Sequence, residues 1–254
     1  MATATISDDR LGELMGLIGG ADSVELKLTV PHSDHPKTVG ALGIDPLDAQ
    51  VRQVYFFETP DLALSKQGLV VRARRVQRKG DDCVVKLRPV VPAELPKKLR
   101  SADGFGVEVD AMPGGFVCSA SMKATAGADV RKTVVNGKAL HKVFSKGQRA
   151  LFDAHAPDGL ELGDLSVLGP VLVLKLKFIP KELRRRMVAE LWLYPDDSRI
   201  LELSTKCAPT EAFQTAAEAR AFLVSQGVDL SGEQETKTKK ALEFFSKRLS
   251  GATA

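Results

Sequence analysis

The stretch VVRARRVQRKGDDCVVKLRPV, residues 70–90, decides the fold prediction. Two runs of alternating residues flank a turn at Gly80, which is the pattern of two β-strands joined in a hairpin. The polar positions of the two runs are basic: Arg72 and Arg74 on the first, Lys86 and Arg88 on the second. The intervening positions are apolar. Each strand therefore has one cationic face and one apolar face.

A solvated face of an ordinary antiparallel sheet would also give alternation. Solvated faces, however, normally mix Thr, Ser, Gln, Lys and Glu, whereas these polar positions are almost purely cationic. The pattern favours a closed barrel with a charged interior and an apolar exterior that helices cover. Closure would also leave no strand edge unpaired.

Other alternating segments predict further strands of the same sheet. They are SVELKLTV (23–30), RQVYFFET (52–59), GFGVEVDAM (104–112), QRALFDAHA (148–156), GLELGDLSV (159–167), PVLVLKLKF (170–178) and SRILELSTKC (198–207). Apolar residues with period two are typical of half-buried strands. The chain is thus predicted to be rich in strands.

Helical spacing predicts four helices, at residues 8–17, 180–194, 210–225 and 231–249. The last of these has Ser231 as a candidate N-cap, with Gln234 three residues later. The Ala- and Ser-rich segment 113–142 suits one or two further helices with a loop at Asn136-Gly137. No linker or repeat divides the chain, so we expect a single α+β domain over residues 1–254. Its barrel core would span about residues 22–206 and its C-terminal helical segment about 209–249.

The overall composition excludes several classes of protein. The 254 residues are 44% hydrophobic and 27% charged, with a net charge of only +4, which predicts no nucleic-acid partner and no membrane partner. No segment is apolar enough for a membrane span or a signal peptide, and we therefore expect a cytoplasmic protein. Three distant cysteines, Cys83, Cys118 and Cys207, indicate reduced thiols rather than a disulfide framework or a zinc knuckle.

The charged strand faces contain more bases than acids. The bases are Lys27, Arg72, Arg74, Lys86, Arg88, Arg149, Lys175, Lys177 and Lys206, and the acids are Glu25, Glu108, Asp110 and Glu202. Buried charges cost several kcal/mol per ion unless counter-charge or water surrounds them. Four carboxylates cannot neutralise nine bases, so the interior predicts a wet tunnel that binds a polyanion such as linked phosphates. The acids would form a site for Mg²⁺ or Mn²⁺.

These residues resemble the CYTH domains, also called triphosphate tunnel metalloenzymes. The resemblance lies in VELKL (24–28), in VYFFETPDLALSKQGLVVRARR (54–75), and in Lys86, Glu108, Asp110 and Arg149. It covers about residues 22–178. It implies an eight-stranded antiparallel tunnel that binds triphosphate with basic residues, holds a divalent metal with acidic ones, and cleaves or cyclises the triphosphate.

The chain departs from the family pattern at two places. Ser23 stands where the family's opening Glu-x-Glu-x-Lys has its first carboxylate, and Lys175 and Lys177 replace a late Glu-x-Glu. The segment from VLKLKF (173–178) to LSTKC (203–207) is more similar to the polyphosphate-polymerase branch of the superfamily. Even there Lys175 stands where a metal-binding Glu is expected, and Glu202 on a neighbouring strand is the candidate substitute.

Three functions are compatible with this pattern. The first is a metal-dependent triphosphatase acting on inorganic triphosphate or on an organic triphosphate. The second uses the same tunnel for cyclisation of ATP or for extension of polyphosphate, and the third is a tunnel that binds polyphosphate without turnover.

The predicted phosphate ligands are Lys27, Arg72, Arg74, Lys86, Arg88, Arg149, Lys177 and Lys206; the predicted metal ligands are Glu25, Glu108, Asp110 and Glu202. Lys27 is also the candidate catalytic residue, which would help to deprotonate the attacking water.

Overall fold

A computed structural model describes residues 8–136, 139–234, 236–249 and 251. The strands are β1 (Ser23–Val30), β2 (Gln50–Glu58), β3 (Leu69–Val76), β4 (Asp82–Leu87), β5 (Phe105–Met112), β6 (Gly115–Thr125), β7 (Ser166–Phe178), β8 (Met187–Leu193) and β9 (Arg199–Cys207). The α-helices are α1 (Asp8–Gly20), α2 (His35–Ala41), α3 (Ala63–Lys66), α4 (Lys97–Arg100), α5 (Val130–Asn136), α6 (Lys146–Asp153), α7 (Ala212–Ser225) and α8 (Lys237–Leu249).

The strands form a closed barrel in the order β1-β5-β6-β4-β3-β2-β7-β8-β9, with β9 pairing back to β1. The predicted closed α+β barrel is confirmed, but the prediction of eight antiparallel strands is wrong. The described part of the chain forms nine strands, and β1 and β5 run parallel, with Glu25 opposite Asp110. A closed ring with an odd number of strands cannot alternate in direction throughout, so one neighbouring pair must be parallel, and here it is β1 with β5.

Strand β6 lies in the segment that was predicted to be helical. Its inward positions are Val117, Ser119 and Ser121, while Cys118 and Ala120 face outward and are buried. Small residues occupy both faces, so the contrast between the faces is weak and the period of two is hidden. Helix α5 is the only part of residues 113–136 with α-helical structure, and Gly137 of the predicted loop lies outside the described residues.

Strand β8 replaces the helix predicted at residues 180–194. Leu183, Met187 and Leu191 are spaced as on one helical face, yet residues 187–193 pair with both β7 and β9. The same residues also alternate as in a strand: Glu190 and Trp192 face inward, and Leu191 between them faces outward. Pairing on both sides decides between the two patterns, since a short apolar run fits either period.

The strand predicted at residues 148–156 is helix α6 for most of its length. Ser145 Oγ accepts a hydrogen bond from the Gln148 backbone N–H, and the Gln148 side chain accepts one from the Ser145 N–H, which forms a capping box. Gln148 Nε2 also donates to the carbonyls of Cys83 and Met122, at 3.0 Å each. The segment predicted as a strand at 159–167 contributes only its last two residues to β7.

Helices cover much of the outer face of the barrel, as predicted. Val71, Ala73, Val85 and Leu87 of the opening hairpin are all buried in one outer cluster. Residues of α5 and α6 pack on this cluster, and α1 and α7 contribute to two others. Burying a Val or Leu side chain contributes about 1.5–3 kcal/mol, so the apolar row of the hairpin stabilises the wall that carries its basic row.

Helix α8 packs against the inward face of the barrel at one end. Its Ala241, Leu242 and Phe245 join a buried cluster with Phe56 and Trp192, whose side chains face the interior. The helix begins at Lys237, six residues later than predicted. The Ser231 hydroxyl donates a hydrogen bond to the Asp229 carboxylate and does not cap the helix. Apolar packing therefore closes this end, while the first turn of α8 borders the charged interior.

Two further expectations concern the chain as a whole. Among the described residues, no helix combines the length and the apolar character that crossing a bilayer requires. Cys83, Cys118 and Cys207 are free and buried, in agreement with the prediction of unpaired structural thiols.

Candidate functional site

The interior of the barrel contains a cavity of about 640 Å³. Its basic lining residues are Lys27, Arg72, Arg74, Lys86, Arg88, Lys123, Lys175, Lys206, Lys237 and Lys239. Its acidic lining residues are Glu25, Glu108, Asp110, Glu190 and Glu202. The bases outnumber the acids by two to one, so the cavity attracts anions.

The basic row of the opening hairpin faces this cavity. Arg74 forms a bidentate pair with Asp82 across the hairpin, with Nε and Nη2 at 2.7 and 2.9 Å from the two carboxylate oxygens. Arg72 has no ion-pair partner among the described residues, and its buried Nε has no hydrogen-bond acceptor. Burial, and then repulsion from Arg74, lower the pKa of Arg72 to about 10. A buried guanidinium without a counter-ion is a ready partner for an anion.

The turn before β3 fixes one rim of the cavity. The buried carboxylate of Glu58 accepts hydrogen bonds from the N–H groups of Thr59, Leu64 and Ser65 at 2.8–2.9 Å. Gly68 follows with a φ of +73°, and a Cβ there would lie 2.3 Å from the Arg88 carbonyl oxygen. The sequence ETPDLALSKQG thus holds β3 against the end of β4 because only glycine permits this approach.

Three carboxylates converge on the wall formed by β1 and β5. Glu25 on β1 and Asp110 on β5 lie opposite each other, and Glu108 is the inward-facing residue that precedes Asp110 on β5. One carboxylate oxygen of each residue lies within 4.8 Å of those of the other two. Carboxylate oxygens are the ligands that Mg²⁺ and Mn²⁺ prefer. This carboxylate cluster, Glu25, Glu108 and Asp110, therefore fits a divalent metal. Glu202, predicted with them, does not belong to it.

Basic side chains already contact each member of the carboxylate cluster. Lys27 Nζ lies 3.1 Å from Glu25 Oε2 and 2.7 Å from Asp110 Oδ1. Lys86 Nζ lies 3.6 Å from Asp110 Oδ2, and Arg88 donates a hydrogen bond to the same oxygen. Each carboxylate is held by at least one base, since Lys206 also donates to Glu108.

These contacts shift the ionisation of both partners. Burial alone would raise the pKa of Asp110, but Lys27, Lys86 and Arg88 lower it to about 2. Burial likewise acts to lower the pKa of Lys27, and the charges of Glu25, Asp110 and Glu202 outweigh it and raise the pKa. Lys86 shows the opposite balance, because burial lowers its pKa to about 8. Lys27 is therefore an ammonium group rather than a base in the ligand-free protein.

A second charged group lies near α8. Lys237 Nζ donates to Glu190 Oε2 at 2.6 Å and to Glu202 Oε1 at 2.7 Å, and Lys175 Nζ donates to Glu190 Oε1 at 2.7 Å. Lys237 also lies 5.2 Å from the centre of the Trp192 ring. Lys175 thus faces the cavity, and the acid opposite it in register on β8 is Glu190.

Sequence reasoning missed two of these residues. Glu190 lay in the segment predicted to be a helix at residues 180–194, and Lys237 was placed six residues inside the helix predicted to begin at Ser231. The alternation E-L-W-L at residues 190–193 was the available signal for Glu190. No local signal identified Lys237, because its position depends on how α8 packs into the barrel end.

Two of the predicted phosphate ligands do not line the cavity. Arg149 lies on α6, outside the barrel, where its Nη1 donates to the carbonyl oxygens of His141 and Phe144. Lys177 lies near the end of β7 and is exposed. The segment around Arg149 was predicted to be a strand but forms helix α6. Lys177 lies on the predicted face of β7, but it is not among the residues that line the cavity. The other six, Lys27, Arg72, Arg74, Lys86, Arg88 and Lys206, all line it.

The fold and the cavity define a class of protein: a closed barrel whose interior carries an excess of bases beside a carboxylate cluster. No family model and no curated protein matches the sequence. Solved structures do match. A provisionally assigned adenylyl cyclase from Hippeastrum, HpAC1, described as having a dominant triphosphatase activity, is 16% identical, with a TM-score of 0.60 over 91% of this chain and 96% of its own.

A second solved structure supports the same conclusion about the fold. It is a provisionally assigned adenylate cyclase from Bacillus halodurans, 15% identical, with a TM-score of 0.59 over 87% of this chain and 97% of its own. The chain therefore has the fold of these proteins, which confirms at the level of the fold the resemblance seen in the sequence.

Proposed function

We propose that the protein is a metal-dependent phosphohydrolase that binds a triphosphate, inorganic or organic, in its barrel. The observation that carries this proposal is the composition of one cavity: ten bases, including the unpaired Arg72, beside a cluster of three carboxylates. An excess of buried bases suits an anion with several charges, and the carboxylate cluster suits a divalent ion that such an anion also binds. The dominant triphosphatase activity described for HpAC1, which has the same fold, supports it.

In this proposal the bases position the phosphate chain. Arg72 would take one phosphoryl group, since no described residue forms an ion pair with it, and Lys86 and Arg88 on the adjacent strand would take the next. Arg74 is already paired with Asp82 and would contribute through its charge and the rigidity of its fork. Holding the chain in line with the attacking water is the main contribution to phosphoryl transfer.

Glu25, Glu108 and Asp110 would hold Mg²⁺ or Mn²⁺, which supplies a Lewis acid to the phosphoryl oxygens when bound. Lys27 lies between Glu25 and Asp110 and is charged. It would therefore stabilise the developing negative charge on the phosphoryl oxygens rather than remove a proton from water. In the reaction the water oxygen would form the new bond to phosphorus and the bond from that phosphorus to the bridging oxygen would break. The shortened phosphate chain would leave with the electron pair on that oxygen, and the proton lost by the water would pass to this leaving oxygen or to solvent.

The experiment incubates the purified protein with tripolyphosphate, ATP or thiamine triphosphate, each with Mg²⁺, with Mn²⁺ or with chelator. Phosphate and cyclic AMP are measured. We expect phosphate release that requires the metal and is lost in Glu108→Gln but kept in Glu94→Gln, a matched change at an exposed residue. Cyclic AMP as the main product would replace the hydrolase by a cyclase. Tight tripolyphosphate binding with no product under any condition would leave only the binding function.

A further inference from the structure

Protein cations already neutralise the carboxylate cluster. Lys27 bridges Glu25 and Asp110, Arg88 donates to Asp110, and Lys206 donates to Glu108. Asp110 is fully buried, so its contacts with Lys27 and Arg88 are not weakened by solvent as surface pairs are. A divalent ion entering alone would have to displace or approach these cations.

The bases that neutralise the cluster are also among the predicted phosphate ligands. Lys27, Lys86, Arg88 and Lys206 all line the cavity and all contact a carboxylate of the cluster. A phosphate chain beside them offers an alternative set of acceptors for the same ammonium and guanidinium groups. Moving a base from a carboxylate to a phosphate oxygen frees that carboxylate to bind a cation.

We infer that the tunnel takes its divalent ion together with the phosphate chain, as the metal complex of the polyphosphate, and does not bind the free ion. This inference rests on the proposed function and names the form of its substrate. Binding of the two ligands is then positively coupled, and the coupling is reciprocal by linkage. The phosphate chain would pair with the bases that the metal ion displaces from the carboxylate cluster, and the metal ion would neutralise the carboxylates that those bases leave.

The second charged group provides an internal comparison. Lys237 holds Glu190 and Glu202 from α8, and neither of these acids belongs to the carboxylate cluster. Removing Lys237 therefore takes a base from Glu190 and Glu202, although Lys175 still holds Glu190, and it leaves the contacts of Glu25, Glu108 and Asp110 unchanged. A variant at Lys27, in contrast, removes the base that Glu25 and Asp110 of the cluster share.

The test measures Mn²⁺ binding by electron paramagnetic resonance of the free ion, in buffer without phosphate. We expect the wild-type protein to leave the free-ion signal unchanged at millimolar Mn²⁺. Lys27→Met should bind Mn²⁺ at least about tenfold more tightly, and Glu108→Gln in that background should abolish the gain. Lys206→Met is the second variant, because its side chain is 52% exposed and its loss leaves the barrel packing intact; it should give a smaller gain. The surface change Lys66→Met should give none.

The reciprocal measurement uses the fluorescence of Trp192, the only tryptophan of the chain, to follow tripolyphosphate binding. We expect the affinity to be about tenfold higher with Mg²⁺ than with chelator. Tight Mn²⁺ binding by the wild type, or no gain in both folded lysine variants, would overturn the inference. Either of these two results would overturn the inference while the protein could still hydrolyse triphosphate. Absence of both tripolyphosphate binding and hydrolysis would instead contradict the proposed function, and the Mn²⁺ measurements do not depend on that outcome.

Discussion

Replacement of Lys237 by Met tests how the C-terminal helix is joined to the barrel. Lys237 Nζ contacts Glu190 at 2.6 Å and Glu202 at 2.7 Å, and the three side chains are only 14%, 14% and 8% exposed. Removing one partner of a buried ion pair costs about 3–5 kcal/mol, because a charge is left uncompensated. Lys175 still contacts Glu190, so we expect the lower value, about 3 kcal/mol. The Tm should fall by about 6–12 °C.

The pH dependence of this loss gives a second readout. In the wild type, burial acts to raise the pKa of Glu190, but Lys237 and Lys175 together place it well below its ordinary value. The resulting stabilisation is present above the ordinary carboxyl pKa and is lost as the pH falls through the lowered one. Without Lys237 the Glu190 carboxylate takes up a proton more readily, so the difference in the free energy of unfolding between variant and wild type should shrink from pH 7 towards about pH 4.

The assay is urea unfolding at several pH values, followed by circular dichroism, which does not depend on the charge near Trp192. Lys239→Met is the matched control, since Lys239 is 73% exposed and contacts Glu243 only at 3.8 Å. The control should change the free energy of unfolding by less than about 0.5 kcal/mol. A loss of less than about 1 kcal/mol in Lys237→Met, or a loss that does not depend on pH, would refute the buried ion-pair argument.

Three other predictions follow from single contacts. Arg72→Gln should weaken tripolyphosphate binding by about 1.5–3 kcal/mol in calorimetry, whereas Arg149→Gln, outside the barrel, should leave the affinity unchanged; equal effects would contradict the placement of the two arginines. Gln148→Ala should lower the free energy of unfolding by about 2–3 kcal/mol in urea, because two buried carbonyls of the barrel lose their donors, with no change in tripolyphosphate affinity. Gly68→Ala should lower the Tm, since its φ of +73° and the nearby Arg88 carbonyl both oppose a Cβ; an unchanged Tm would show that the turn adapts.

The barrel could be predicted because its decisive information is local. Arg72 and Arg74 alternate with Val71 and Ala73, and a period of two with unlike faces identifies both the strand and its orientation. The same alternation identified Glu25, Lys27, Glu108 and Asp110 on their strands. Side chains that alternate inward from neighbouring strands of a barrel must share its interior, so these members of the cavity followed from the pattern alone.

The rest depends on contacts between distant parts of the chain. Residues 187–193 satisfy both a helical and a strand period, and only pairing with β7 and β9 decides between them. Parallel pairing of β1 with β5 has no signature in either strand. Lys237 enters the cavity because Leu242 and Phe245 on the same helix bury their side chains in the barrel end. Such an arrangement is set by packing over many residues and not by local propensity.

The basic residue at position 175 has a structural explanation in the second charged group. Family resemblance led us to expect a carboxylate at this position, and Lys175 places an ammonium group there instead. Glu190 lies directly opposite on β8 and forms the pair at 2.7 Å, so an acid is retained in this part of the cavity but on the neighbouring strand. Lys237 binds the other oxygen of that acid, and both carboxylate oxygens are thus occupied by protein cations. In our proposal the divalent ion is therefore confined to the cluster of Glu25, Glu108 and Asp110, while Glu190 and Glu202 anchor α8.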